Sequence, residues 1–254
     1  MNWSLRFLGV GNSQAAPVLG SASAVLEKNQ TPVLMIDCGQ EALTAFERHY
    51  QCLPEALFIT HLHMDHIGGL ERLFYSAYFN DGLRGKVRLY VPAAIVPAMQ
   101  SRLADYPGVL AEGGANWWDA FQLIPVSSGF WHAGLRFEVY PVRHHLPESA
   151  FGLRLPGSFH WTGDTRPIPE RLERFAGTGE LIAHDCAMVG NPSHTGLAYI
   201  QREYSAELQK QLWLYHYASR EDGEAMRAAG FRVAEPMQAL PLAITIGAMM
   251  FFGE

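Results

Sequence analysis

The stretch THLHMDHIGGL, residues 60–70, places three histidines and an aspartate within six positions, directly after an apolar run. His61, His63, Asp65 and His66 are donors suited to a borderline metal ion such as zinc. A solvated polar turn is the other reading of these letters, but in a chain with 11 histidines among 254 residues the pattern is rare by chance. The run ALFIT ends at His61, so the motif falls where a strand stops and a loop begins, a rigid support for ligands. His61 and His63 are two apart and reach the same way from an extended backbone. Asp65 and His66 fall where the chain bends into a helix containing IGGLERLF. One ion could take His61 and His63 and a second Asp65 and His66, each needing further ligands.

Three later segments offer them. YPVRHH (140–145) reads as a strand ending in His144 and His145, WTGDT (161–165) as an apolar run ending in Asp164, and LWLYHY (212–217) as a run carrying His216 near its end. Alone, each has a plainer reading: a surface histidine, a turn aspartate, a core histidine. Three strand-end ligands in a chain that already holds HxHxDH favour the metal reading.

The elements that must carry these residues are mostly short strands. LRFLGV, SAVLE, PVLMID, ALFIT, VRLYV, FQLIPV, LRFEVYPV, FGLRL, FHWTGD, LIAHDC, LWLYHY, FRVAEP and LAITI are β-rich, and many are bounded by Gly, Pro, Asn or Asp. Helical patterns sit between them: EALTAFERHY, AAIVPAMQSRLADY with Pro97 interrupting it, and TGLAYIQREYSAELQK, where Leu197, Ile200, Tyr204 and Leu208 share a face. The order predicts two sheets with helices packed outside, in one domain over residues 1–254. The irregular stretch 106–120, with Trp117 and Trp118, reads as packing or as a loop over a pocket.

Composition narrows the class. Hydrophobic residues make up 48% and charged residues 17%, ordinary for a globular protein. The net charge of −6 offers no broad attraction to nucleic acid. Cys38, Cys52 and Cys186 are too few for a disulfide framework or a four-cysteine zinc site, which fits a reducing, cytoplasmic setting. The N-terminus lacks the pattern of a signal peptide. LPLAITIGAMMFF (240–252) is too short to span a bilayer and reads as a buried final strand, so no membrane association is expected.

The chain resembles metallo-β-lactamase-fold hydrolases of the ribonuclease Z-like and cyclic-phosphate phosphodiesterase-like branch, over nearly its whole length. LRFLGVGNS resembles that branch's opening strand and loop, VLMIDCG its LIDCG strand, THLHMDHIGG its dinuclear ligand motif, WTGDT its SGDT segment and LWLYHY its LxLTH segment. The resemblance implies an α/β, four-layer αββα sandwich with two divalent ions, zinc first, with manganese or iron as alternatives. One ion would take His61, His63, Asp164 and a histidine of the 144–145 pair, with His144 favoured by its spacing and His145 left open. The other would take Asp65, His66, Asp164 and His216, with Asp37 as an organiser behind the ligands. Neighbouring strand residues point apart, so both histidines of the pair are not expected on one ion.

The same resemblance points to phosphodiester hydrolysis by a metal-bridging hydroxide, with Asp65 helping to orient the nucleophile. LIAHDC followed by PSHTG resembles the branch's HEA and HST segments, which makes His194 the general acid and Asp185 its orienting partner. For His194, a role as a helix-start residue is the alternative. YPVRHHLPESAFGLRL lacks the HTPGHT-like segment of glyoxalase II and lactonase relatives, which puts acyl, thioester and lactone hydrolysis second. FGLRL runs almost directly into PGSFHWTGDT, with no room for the arm with which ribonuclease Z grips transfer RNA. The expected substrate is therefore a small or nucleotide-like phosphodiester, with RNA processing and a non-catalytic metal-dependent sensor as further alternatives. A homodimer accords with the family, although no segment argues for one.

Overall fold

The computed structural model describes residues 2–104 and 109–244. Two seven-stranded sheets form the interior. In spatial order, the first holds Ala239–Leu242, Trp3–Gly9, Ser23–Lys28, Thr31–Ile36, Ala56–Phe58, Val87–Pro92 and Phe121–Val126. The second holds Arg232–Val233, Leu212–Tyr215, Leu181–Asp185, Phe159–Trp161, Phe151–Leu155, Leu135–Pro141 and Gly129–His132. Each sheet is antiparallel in one half and parallel in the other.

That division follows the sequence. Antiparallel strands such as Trp3–Gly9 and Leu135–Pro141 alternate buried and part-exposed residues over part of their length. Ala56–Phe58 and Phe159–Trp161, in the parallel halves, are buried throughout, as strands covered on both faces must be. The sheets meet face to face through aromatic side chains. Phe7 lies 5.6 Å from Trp161 and 6.3 Å from Tyr215, and Phe130 stacks on Tyr90 at 4.2 Å. Helices cover the outer faces, giving the expected four-layer αββα sandwich. The helix Gln40–Tyr50 buries Ala42, Leu43 and Phe46, with Glu41 in its first turn and Arg48 and His49 in its last, complementing the helix dipole.

Several sequence expectations shift locally. TGLAYIQREYSAELQK is two helices, Leu197–Glu203 and Ala206–Gln209. Ser205 adopts an extended conformation and its hydroxyl accepts from the Leu208 amide, so it starts a new helix rather than continuing the old one. AAIVPAMQSRLADY is a 3₁₀ turn, Ala93–Ile95, an α-turn, Val96–Met99, and a π-helical segment, Gln100–Ala104, with Pro97 tolerated near an N-terminus. The last described strand, Ala239–Leu242, starts earlier than LAITI, and residues 245–252 lie outside the described residues, as do 106–108 of the irregular stretch. Trp117 is buried and stacks on Phe74 at 5.9 Å, whereas Trp118 is exposed. No helix among the described residues is long and apolar enough to cross a membrane.

Candidate metal centre

The parallel strands deliver their C-terminal ends to one edge of the sandwich, where open α/β sheets place ligands. Asp37 follows Thr31–Ile36, His61 follows Ala56–Phe58, Asp164 follows Phe159–Trp161, Asp185 ends Leu181–Asp185 and His216 follows Leu212–Tyr215. Asp37 and His216 have φ of +59° and +69°, unusual for residues other than glycine and of the kind that clusters at functional sites.

Two loops lock together beneath the motif. The Cys38 amide donates to the His66 carbonyl at 2.6 Å, and the Gly69 amide donates to the Cys38 carbonyl at 2.8 Å. Gly39 lies so close that a β-carbon there would sit 2.1 Å from the Asp65 carbonyl oxygen. Only glycine permits that approach, which holds the Asp65–His66 turn against the Asp37 loop.

The hydrogen bonds fix which nitrogen each ring presents. His66 Nδ1 lies 2.8 Å from Asp37 Oδ2, and Asp37 also accepts from the Thr60 amide and hydroxyl, each at 2.7 Å. His61 Nδ1 donates to the Thr60 hydroxyl oxygen at 3.0 Å, and His144 Nδ1 to the Ser193 carbonyl at 2.9 Å. His216 Nδ1 faces Asp185 Oδ1 at 3.3 Å. With the proton on Nδ1 in each case, His61, His66, His144 and His216 turn a bare Nε2 inward, the arrangement that orients metal-binding histidines.

The donor atoms then fall into two groups that share Asp164. His61 Nε2 is 3.1 Å from His63 Nδ1, His63 Nδ1 is 3.3 Å from His144 Nε2, and His61 Nε2 is 3.6 Å from Asp164 Oδ2. In the second group, His66 Nε2 is 3.3 Å from Asp164 Oδ1 and 3.6 Å from Asp65 Oδ2, while His216 Nε2 is 3.4 Å from Asp164 Oδ2 and 3.6 Å from Asp65 Oδ2. A tetrahedron with bonds of about 2.0–2.2 Å has edges of roughly 3.3–3.6 Å, so these separations suit an ion better than direct hydrogen bonds. Buried His66 Nε2, His216 Nε2 and Asp164 Oδ1 have no well-formed hydrogen bond. Leaving a polar atom so would cost about 1–3 kcal/mol each without a partner. The residues fit divalent ions.

Electrostatics agree. Burial opposes charge on His216, yet Asp164 and Asp185 hold its imidazole up at about 10. Burial likewise opposes charge on His66, and Asp164 and Asp37 raise it well above the ordinary value. Burial would raise Asp164, but His216, His66 and His61 hold its carboxyl well below the usual range. The field that favours a proton on the inward nitrogens favours a cation in the same place. Burial takes His144 the other way, down to about 4.

His144 and His145 are not on a strand. The strand ends at Pro141 and both histidines lie in the bend beyond it, with His145 at φ +35°. Their rings therefore do not point apart; the centroids are 4.0 Å from one another. His144 is buried with its Nε2 in the first donor group, whereas His145 is exposed, with Nε2 3.1 Å from His63 Nε2 and Nδ1 3.2 Å from the Ser193 hydroxyl.

His194 stands beside the donors. Its Nδ1 is 2.9 Å from Asp185 Oδ2, which also accepts from the Thr165 amide. Burial lowers His194, but the Asp185 hydrogen bond and charge bring it above the ordinary histidine value. It precedes the helix Leu197–Glu203 without capping it; that position is Gly196. Asp65, Asp164, His194 and His216 line an open cleft of about 480 Å³, joined by Asn12 and Asn191. Sequence reasoning missed the Ser193 carbonyl, which carries no side-chain signal, and Thr60, whose only signal is its place before His61. It also missed Arg102, whose guanidinium donates to the Leu62 carbonyl at 2.6 Å between two of the histidines.

Known proteins share this frame. The chain is similar to the Anti-Pycsar protein Apyc1 of Paenibacillus harenae, 27% identical over 92% of this chain and 98% of that protein. It is also similar to that of Bacillus phage BSP38, 26% identical over 84% of this chain and 88% of that protein. Among solved structures, the metallo-β-lactamase-fold protein YhfI of Bacillus subtilis matches with a TM-score of 0.74 at 13% identity, over 95% of this chain and 100% of that one. A diphosphatase of the PhnP family matches at 0.73 and 18%, over 96% and 99%. These two structures support the metallo-β-lactamase fold alone. The model of the family Anti-Pycsar protein Apyc1 matches residues 3–239, and the chain belongs to that family.

Proposed function

We propose that this protein is a two-metal phosphodiesterase that opens a cyclic nucleotide to a nucleoside monophosphate. The convergence of bare ring nitrogens on Asp164 carries the reading. His61, His63, His144 and Asp164 would hold one divalent ion, and Asp65, His66, Asp164 and His216 the other. Zinc is the assignment that suits this nitrogen and carboxylate set. Two such ions lower the pKa of water to near neutrality and offset the charge that builds on the phosphoryl oxygens.

The chain's own residues supply the rest. Asp37 fixes His66, and Asp185 fixes both His194 and His216. His194, half-buried on the cleft with its Nδ1 tied to Asp185, turns its other nitrogen to the leaving group and protonates the ribose oxygen. Asp65, on the rim of the second donor group, orients the attacking water. Membership of the Anti-Pycsar family and an open cleft of about 480 Å³ both support a small cyclic phosphodiester over a long polyanion. Three free cysteines are consistent with a reducing, cytoplasmic setting.

The test is turnover of 3′,5′-cyclic nucleotides beside bis(p-nitrophenyl) phosphate, thioesters and lactones, using metal-replete protein. Ring opening with little acyl cleavage is expected. Acyl turnover without phosphodiester turnover would refute the assignment.

A further inference from the structure

Four of the histidines in the two donor groups hold their outer nitrogen on a buried or backbone acceptor: Thr60 for His61, Asp37 for His66, the Ser193 carbonyl for His144 and Asp185 for His216. His63 departs from that pattern twice. It turns Nδ1 rather than Nε2 toward the first group, at 3.1 Å from His61 Nε2 and 3.3 Å from His144 Nε2. Its outer nitrogen is therefore Nε2, and the partner there is another histidine, His145, whose Nε2 lies 3.1 Å away.

Two imidazole nitrogens at that distance share one proton. A neutral ring that gives Nδ1 to a metal carries its proton on Nε2, so His63 donates and His145 Nε2 accepts. The His145 proton then sits on Nδ1, which faces the Ser193 hydroxyl oxygen at 3.2 Å. Ser193 thus serves both neighbours, its carbonyl taking the His144 Nδ1 proton and its hydroxyl the His145 one.

His145 is exposed, yet the bend that carries it is fastened on both sides. The Arg143 amide donates to the Thr165 hydroxyl oxygen at 3.1 Å, the Ser149 hydroxyl to the Leu146 carbonyl at 2.6 Å, and the Val142 amide to the Ala150 carbonyl at 3.0 Å, which closes the loop at its base. His145 itself has φ of +35°, a backbone conformation costly for residues other than glycine and clustered at functional sites. Among the described residues its side chain has hydrogen-bond partners in His63 and Ser193 alone. No ligand group formed by the described residues includes it.

We propose that His145 is a positioning residue for the first ion. By accepting the His63 Nε2 proton it fixes the tautomer and the ring plane of the one donor histidine that lacks a buried or backbone partner. The inference rests on the two-metal reading of the site and is independent of the substrate. Acceptors behind a ligating histidine raise its basicity, and their loss costs about 10–100-fold in metal affinity. An exposed acceptor falls at the low end of that range.

The experiment reads zinc binding rather than turnover. Wild type, His145→Ala and His145→Gln are titrated with zinc against a competing chelator, and the His63 ring is followed by NMR of its imidazole nitrogens in the zinc-loaded protein. His145→Ala is expected to weaken one of the two equivalents by about tenfold, to leave the other unchanged, and to speed exchange of the His63 Nε2 proton with water. His145→Gln, whose amide oxygen takes the same proton, is expected to return both readouts close to wild type. Wild-type affinity for both equivalents in His145→Ala would overturn the proposal while leaving the metal centre and the phosphodiesterase reading intact. So would outright loss of one equivalent that His145→Gln does not restore, because His145 would then be a ligand itself. A wild type that binds no zinc would remove the two-metal reading and this inference with it.

Discussion

Asp164 and Glu180 are buried carboxylates at opposite ends of the same part of the second sheet, and both face histidines. Glu180 is surrounded by protons. Arg154 reaches it through Nη2 at 2.7 Å and Nε at 3.1 Å and the Gly157 amide donates at 2.6 Å, while His160 Nε2 lies at 2.8 Å without a well-formed hydrogen bond. Asp164 meets His66, His216 and His61 nitrogens at 3.3, 3.4 and 3.6 Å, and each of those rings is tied to the protein through its other nitrogen. One carboxylate closes a structural network, and the other leaves a cation-sized space. Burial alone does not separate a stabilising cluster from a functional one; the direction of the protons does.

The comparison breaks most sharply at Asp164. Asp164→Ala should reduce phosphodiester turnover to background and bound metal by at least one equivalent, read by elemental analysis and rate on one sample. His194→Ala should lower kcat by about 10²–10⁴-fold while both ions stay bound, the signature of a lost proton donor. Asp37→Asn, which replaces the acceptor that orients His66, should weaken metal affinity by about 10–100-fold in a chelator competition. Glu180→Gln should leave metal content and turnover close to wild type but lower stability by roughly 1–3 kcal/mol, because Arg154 keeps Glu138 at 3.1 Å while the charge-assisted bonds to Glu180 are weakened.

Acid sharpens the same contrast. Burial would raise Glu180, but His160, Arg154 and the Gly157 amide bring its carboxyl down to about 2. Its folded value is depressed, so its stabilisation is complete above the unfolded carboxylate value of 4.5 and is lost as pH falls toward about 2. Denaturant midpoints measured from pH 5 to pH 2 should fall more steeply in wild type than in Glu180→Gln. Equal slopes would mean that Glu180 carries no such network.

Much of the donor set was legible because its residues are chemically distinctive and sit where apolar runs stop. His61, His63, Asp65, His66, Asp164 and His216 all follow that rule, and the structure brings their donor atoms close together, with His61 and His66 buried behind the cleft that the other four line. His144 against His145 was not legible by strand alternation, since the strand ends at Pro141 and the bend turns both rings toward His63. The Ser193 carbonyl, a backbone group contributed from 49 positions away that no side-chain pattern announces, holds His144 Nδ1 and leaves its Nε2 beside His63. The break between the two helices after Tyr204 was also hidden. The periodic face continues through Leu208, but the Tyr204 hydroxyl accepts the Ile168 amide at 2.8 Å and Ser205 caps the helix Ala206–Gln209. Periodicity reads which face is buried, whereas caps decide where the helix stops.

The central claim is that the nitrogens around Asp164 hold two ions that hydrolyse a phosphodiester. Metal stoichiometry and cyclic-nucleotide turnover, measured on the same wild-type sample before and after chelation and on re-addition of zinc, test it most directly. The account predicts two equivalents of divalent metal per chain, loss of turnover on chelation and its return with the metal. A chain that binds no metal under replete conditions, or that turns over cyclic nucleotides equally well once stripped, would contradict it.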